Sequence, residues 1–223
     1  MLHGWLRPGA LLTGLLFCAT GALARPDLEL DLALDPATRQ FSALASLTVP
    51  AATWRFLLHE SLQVDAVIAA DAPDGRRLEM GAARGPHGYR LWTLRAERAG
   101  QRVSIRYGGQ LPALDRQRDH RGVLGGMPPM ASPEGSFLAA GSGWYPRPAD
   151  LFTYRVVLSV PAGQRALVPG RRVAENRPVN ARDGYRATFE LVRPTDGIDL
   201  MAGPWVVREK TVARDGQPPL VLR

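Results

Sequence analysis

Thiols and amines are scarce in this chain. Its 223 residues include one cysteine, Cys18, one lysine, Lys210, and four histidines. Beyond residue 18 there can be no disulfide, no cysteine-based zinc site and no iron–sulfur cluster, and thiol catalysis is excluded. A domain without disulfides must rest on its hydrophobic core, which about 200 residues can supply. Long apolar runs are missing too. The best candidate, "ALLTGLLFCATGA" at 10–22, falls short of the roughly 20 residues a membrane helix needs. No segment after residue 24 repeats its apolar residues at helical spacing over about 12 positions. Gly-rich phosphate loops with a lysine are absent, and "AGSGW" around Ser142 lacks the first glycine of a nucleophile elbow.

The first 24 residues have the layout of a secretory signal peptide. Arg7 precedes the apolar run, Ala22-Leu23-Ala24 is an A-x-A site, and polar "RPDLEL" follows. Cleavage after Ala24 would send the protein to the periplasm or outside the cell; the alternative is an uncleaved N-terminal membrane anchor. No other membrane span is expected. The formal charge is +7 and the pI near 10.4. The basic residues are spread singly, paired only at Arg76-Arg77 and Arg171-Arg172. Without an aromatic-and-basic module, no nucleic-acid partner is expected.

What the chain does have is alternation. In "LELDLALD", Leu28, Leu30, Leu32 and Leu34 alternate with Glu29, Asp31 and Ala33, the pattern of a half-buried strand. Asp35-Pro36 starts a turn, and "QFSALASLTV" carries Phe41, Ala43, Ala45, Leu47 and Val49 on one face. These two segments read as a hairpin. Further strands are predicted over 54–59, 62–70, 76–80, 89–94, 102–107, 154–160, 165–170, 185–191, 198–203 and 205–212. Asp74-Gly75, Asp183-Gly184 and Asp215-Gly216 are turn dipeptides. With 19 prolines and 23 glycines, the fold class is all-β: two packed sheets or one large twisted sheet. One stretch, 114–152, breaks the rhythm. It is Gly- and Pro-rich and too long for a hairpin loop, so it reads as a functional or domain-packing loop. The terminal "ARDGQPPLVLR" reads as a turn followed by the start of a strand that has no partner and looks truncated. The expected division is a leader at 1–24, a β-domain at 25–213 and the opening of a further strand at 214–223.

Candidate chemistry is thin. His59-Glu60-Ser61-Leu62-Gln63 is one letter from H-E-x-x-H, in which two helix-borne histidines hold zinc and the glutamate is the base. Its flanks alternate as strands. On a strand, positions 59 and 63 would stand about 13 Å apart, too far to chelate one ion. Asp115, Asp119 and His120 form a small cluster of metal-ligand types, and neighbouring "DRQRDHR" reads most simply as a solvated loop. Trp144-Tyr145-Pro146 could stack on a ligand or partner, or plug the end of the β core, and the plug is the favoured reading. No catalytic or metal-binding residue is assigned.

The order "LDLALDPATRQFSALASLTV", "FLLHESLQVDAVI", "RVSIRYGGQLP", "EGSFLAAGSGWYP", "FTYRVVLSVPAG" and "IDLMAGPWVVRE" resembles the N-terminal β-domain of the gluzincin aminopeptidases, the membrane-alanyl (M1) type. The resemblance spans about 28–213. It implies a large saddle-like twisted sheet, followed by a thermolysin-like domain that carries the zinc and its H-E-x-x-H helix. Neither that helix, its downstream glutamate nor a G-x-M-E-N loop occurs in this sequence. The resemblance therefore implies a non-catalytic domain without its own cofactor, scaffolding a zinc catalytic domain and walling a peptide cleft. In many members a Gln or Glu in a loop of this domain holds the substrate's α-amine. The matching region here is about Ser132–Tyr145. The usual Gln-x-Gln pattern is missing and Glu134 is the only acid. Glu134, Trp144 and Tyr145 are thus the candidate substrate-side or interdomain residues. The competing expectation is a free-standing periplasmic β-sandwich that binds a protein, peptide or glycan through the 114–152 loop. A third is an enzyme with its own site in that loop.

Overall fold

The computed structural model describes residues 25–70, 76–115, 117, 126–176, 180, 183–208 and 210–222. The expected signal peptide, the Asp74-Gly75 turn, and Asp119 and His120 of the loop cluster lie outside the described residues. Among the described residues there is no helix. The strands are β1 (Leu28–Asp35), β2 (Gln40–Thr48), β3 (Thr53–His59), β4 (Leu62–Ala69), β5 (Glu79–Arg84), β6 (Tyr89–Arg95), β7 (Arg102–Gln110) and β8 (Ser136–Leu138). They continue with β9 (Phe152–Val160), β10 (Arg165–Leu167), β11 (Arg171–Glu175), β12 (Tyr185–Thr195), β13 (Leu200–Gly203), β14 (Lys210–Arg214) and β15 (Gln217–Leu222).

Seven strands form the main sheet in the order β11-β12-β9-β1-β2-β7-β4. All its pairs are antiparallel except β1 with β9. Two three-stranded sheets, β3-β6-β5 and β10-β13-β8, and the hairpin β14-β15 complete the set. The inner residues of the main sheet and of both three-stranded sheets belong to one buried cluster. The small sheets therefore back one face of the large one, giving a sandwich-like all-β fold as the alternation predicts.

The leucine stripe drives this. Leu28, Leu30, Leu32 and Leu34 of β1 are buried, and opposite them on β2 so are Leu47, Ala45, Ala43 and Phe41. Each leucine so buried contributes about 1.5–3 kcal/mol. The β1–β2 turn is closed by Asp35, whose carboxylate accepts from the Ala37 amide at 3.0 Å and the Thr38 hydroxyl at 2.8 Å.

Several predicted boundaries move. The segment 205–208 is not strand, because Gly203-Pro204 ends β13 and the ladder resumes only at Lys210. Pro204 has no amide hydrogen to donate. The terminal strand does have a partner: β15 pairs with β14 around Asp215-Gly216, with Gly216 at φ +65°. The boundary expected at 213 thus falls inside a hairpin. Inside the 114–152 stretch, the short strand β8 joins a sheet, so that part of the predicted loop is ordered ladder.

Candidate functional site

The end of β3 is where the chain changes sheets. β3 pairs with β6 in a small sheet, while β4 pairs with β7 in the main sheet. His59-Glu60-Ser61 forms the corner between them. The His59 amide donates to the Gly143 carbonyl at 2.8 Å and the Glu60 amide to the Gly88 carbonyl at 3.0 Å. The imidazole closes the corner locally: Nδ1 accepts from the Ser61 amide at 3.2 Å and lies 2.8 Å from the Ser61 hydroxyl. Burial pulls the His59 pKa below its usual 6.5, with adjacent Glu60 opposing, so the ring favours its neutral form. Gln63 stands on β4 and meets Arg90. The residues of the H-E-x-x-Q stretch do not fit a zinc ion: they lie on a strand end, a turn and a second strand, without the helix that would bring positions 59 and 63 together. Among the described residues no three His, Cys, Asp or Glu side chains group as metal ligands.

A knuckle of chain, Ala139–Gly143, rests against this corner. It continues β8 and is pinned at each residue. The Ala140 amide donates to Asp199 Oδ1 at 2.8 Å. The Tyr89 hydroxyl donates to the Gly141 carbonyl at 2.7 Å. Ser142 turns back, its hydroxyl donating to the Ala139 carbonyl at 2.7 Å and its amide to the same oxygen at 2.9 Å. Gly143 sits at φ +71°, and a Cβ there would come within 2.8 Å of the His59 amide and of the Tyr89 ring. Only glycine satisfies both the dihedral and the close approach.

Trp144 and Tyr145 anchor the knuckle from below. Both are buried, with ring centroids 4.7 Å apart in an edge-on arrangement, and Phe41 meets Trp144 edge-on at 6.3 Å. The backbone of one residue, Ile198, serves both rings. The Trp144 indole N–H donates to the Ile198 carbonyl at 3.0 Å, and the Ile198 amide donates to the Tyr145 phenol oxygen at 3.1 Å. The Tyr107 hydroxyl donates to the Trp144 carbonyl at 3.2 Å. Burial raises the Tyr145 pKa to about 12 and drives that of Tyr107 well above its usual range. Both phenols stay protonated and hold their bonds at any ordinary pH. Neither aromatic ring offers a free face to a ligand. They are the core plug that was one of the two readings of the sequence.

Glu134 lies apart, exposed in the 132–135 turn, where its carboxylate accepts from the Ser132 hydroxyl at 2.7 Å. Its turn leads into β8, so it stands at the opposite end of that strand from the knuckle. Sequence reasoning missed Tyr89, Asp199 and the Ile198 peptide. None has a local signature, because each reaches the knuckle from a distant part of the chain. Hollows open both beside the corner and away from it. One, of about 420 Å³, is lined by His59, Glu60, Arg84, His87, Tyr89 and Met127 among others. The other, about 850 Å³, lies on the outer face of the main sheet, where Arg155 and Arg171 both pair with Glu190 and Arg186 pairs with Asp31.

A seven-stranded sheet backed by two three-stranded sheets, with a pinned loop at one corner, defines an all-β sandwich-like domain. No family model and no curated protein matches the sequence. Solved structures do match the fold. A two-domain M1 zinc metallopeptidase mutant bound to L-tryptophan superposes with a TM-score of 0.61 at 18% identity, covering 87% of this chain and 45% of that one. An M1 zinc metallopeptidase from Deinococcus radiodurans bound to a Tyr-Ser-Ala substrate gives 0.59 at 18% identity, with 87% and 45% covered. The same enzyme without that substrate gives 0.60, with 85% and 44% covered. At this identity the likeness is one of fold. The chain spans less than half the length of the structures it matches, and the M1-type fold expected from the order of sequence motifs is the one it adopts.

Proposed function

We propose that this chain is the non-catalytic N-terminal β-domain of an exported zinc metallopeptidase, scaffolding the catalytic domain and walling one side of its peptide cleft. One observation carries the reading: the fold matches M1 zinc metallopeptidases over 87% of this chain but 45% of theirs. The zinc and the attacking water belong to a second domain of the same or parent chain, and no step of that chemistry runs through residues described here. The role of this domain is positional. Its knuckle, Ala139–Gly143, is fixed by the Asp199, Tyr89 and His59 contacts and supported by the aromatic plug, the stiffness a cleft wall needs. Glu134 stands on the rim at the far end of β8. Trp144 and Tyr145 act by holding the knuckle in place. The leader at 1–24 would deliver the protein across the membrane.

The test is hydrolysis of Tyr-Ser-Ala, followed by mass spectrometry, for residues 25–223 alone and for the full natural product of the gene. The full product should cleave the tripeptide in a chelator-sensitive way and the 25–223 piece should not. Chelator-sensitive cleavage by the piece alone would overturn the proposal. So would a full product that never cleaves it with zinc present.

A further inference from the structure

The sheet β10-β13-β8 has two unlike faces. Ala166, Leu200, Ala202 and Leu138 point into the core. The opposite face carries a row across all three strands, Leu167 beside Met201 beside Phe137, which are register partners. Met201 and Leu167 keep 42% and 51% of their surface exposed. Gly203, two residues along β13 from Met201, faces the same way. A Cβ on Gly203 would lie 2.6 Å from the Trp205 indole nitrogen, so the indole folds back over the glycine and lengthens the row. Trp205, Val206 and Val207 are themselves exposed, Val206 by 86%.

A small sheet that met only water on this side would alternate apolar and polar residues. The outer face of the main sheet does so, with ion pairs among Arg155, Arg171, Glu190, Arg186 and Asp31. On the β10-β13-β8 face the one charged residue of the three strands, Arg165, stands opposite Gly203 with its guanidinium 4.9 Å over the Tyr185 ring, and the contiguous apolar row beside it marks a protein contact. Its position narrows the occupant. β8 runs directly into the knuckle at Ala139, and the segment 205–208 leads from this sheet to β14-β15. A domain packed here would sit beside the knuckle. The matched structures are two-domain enzymes, more than half of whose length lies outside the likeness.

We propose that the outer face of β10-β13-β8, extended by Trp205 and Val206, is the seam on which the zinc-carrying second domain packs. The inference rests on the reading of function above and adds the surface that reading leaves open. Residues 25–223 contain no cysteine, so a thiol placed among them is identified by its own peptide. Met201→Cys, Val206→Cys and, as a control on the outer face of the main sheet, Val192→Cys would each be made in the full natural-length protein. Maleimide labelling of each site is followed by peptide mass spectrometry, and zinc-dependent Tyr-Ser-Ala cleavage is measured on the same preparations. The thiols at 201 and 206 should label at least about tenfold more slowly than the one at 192, because a packed seam must open first. Equal labelling rates in a protein that cleaves Tyr-Ser-Ala would overturn the seam and leave the proposed function standing. Absence of zinc-dependent cleavage in all three and in the parent would overturn the function and the seam with it.

Discussion

Replacing Trp144 separates a core plug from a ligand-stacking ring. The indole is fully buried, packs against Tyr145 and Phe41 and donates to Ile198. Trp144→Ala removes the whole ring, and losses of this kind run about 3–5 kcal/mol. Trp144→Phe keeps most of the ring but leaves the Ile198 carbonyl without its indole donor, a loss of about 1–3 kcal/mol. Tyr145→Phe removes the phenol oxygen that accepts the Ile198 amide, a loss of similar size. Because the two rings touch and bond the backbone of the same residue, the double variant should depart from additivity by at least about 0.5 kcal/mol. Urea unfolding followed by far-ultraviolet circular dichroism measures all four proteins. For a domain of this size each kcal/mol lowers the Tm by roughly 2–4 °C, so Trp144→Ala should melt at least about 6 °C earlier. A Trp144→Ala protein within about 0.5 kcal/mol of the parent, the range of ordinary surface substitutions, would refute the plug and return the ring to a ligand-facing role.

Three further outcomes follow from the corner and its neighbours. Gly143→Ala places a Cβ at φ +71° against the His59 amide and the Tyr89 ring. It should destabilise by about 1–3 kcal/mol, measured by urea unfolding, and the amide of His59 should exchange faster with deuterium. The folded pKa of His59 lies below its unfolded 6.5, so its contribution is fully present above that pH and is lost as pH falls through the folded value. In His59→Asn, which keeps an acceptor for Ser61, the gap between urea midpoints at neutral and mildly acidic pH should shrink; an unchanged gap rules out this histidine as its source. Tyr145 and Tyr154 have folded pKa values of about 12 against an unfolded 10.0. Their stabilisation is full below pH 10.0 and is lost as pH rises from there toward about 12. Phenolate absorbance should therefore rise late and together with unfolding, and two tyrosines titrating near 10.0 in the folded protein would contradict the burial described.

The parts of the fold legible in the sequence are those built from period two. The leucines of β1 and the apolar positions of β2 alternate without a break, and the register brings them face to face, Leu28 with Leu47 and Leu34 with Phe41. The corner at His59 was legible for the same reason: alternation on both flanks denies the stretch a helix, and it folds as strand, turn, strand. β5 was misplaced because Gly81, Ala82 and Ala83 carry no strand signal of their own. They extend along β6 because Leu91, Trp92 and Thr93 supply the partner. The strand predicted from Trp205 failed for the opposite reason. Trp-Val-Val has high strand propensity, yet Pro204 and the indole folded over Gly203 divert the chain out of the ladder. The clamp of Trp144 and Tyr145 on Ile198 spans more than 50 residues, and no local pattern encodes it. Sequence could pose the choice between plug and ligand contact, but burial decides it.

The distribution of hydrogen bonds makes the knuckle rigid, which is what the proposed positional role requires. Here Ala140, Gly141, Ser142, Gly143 and Trp144 each commit a backbone or side-chain group to a partner in this chain. The partners come from β6, the β3–β4 corner and the Ile198-Asp199 segment before β13. Four of these residues are held from three separate elements, and Ser142 closes the turn on Ala139; fixing them costs conformational freedom of about 1–2 kcal/mol per residue, and an ordinary surface turn requires no such constraint. The same β8 that feeds the knuckle carries Phe137 on the apolar outer face. The rigid loop and the apolar outer face thus meet on one three-residue strand, so a domain docked on the proposed seam would have the loop at its edge.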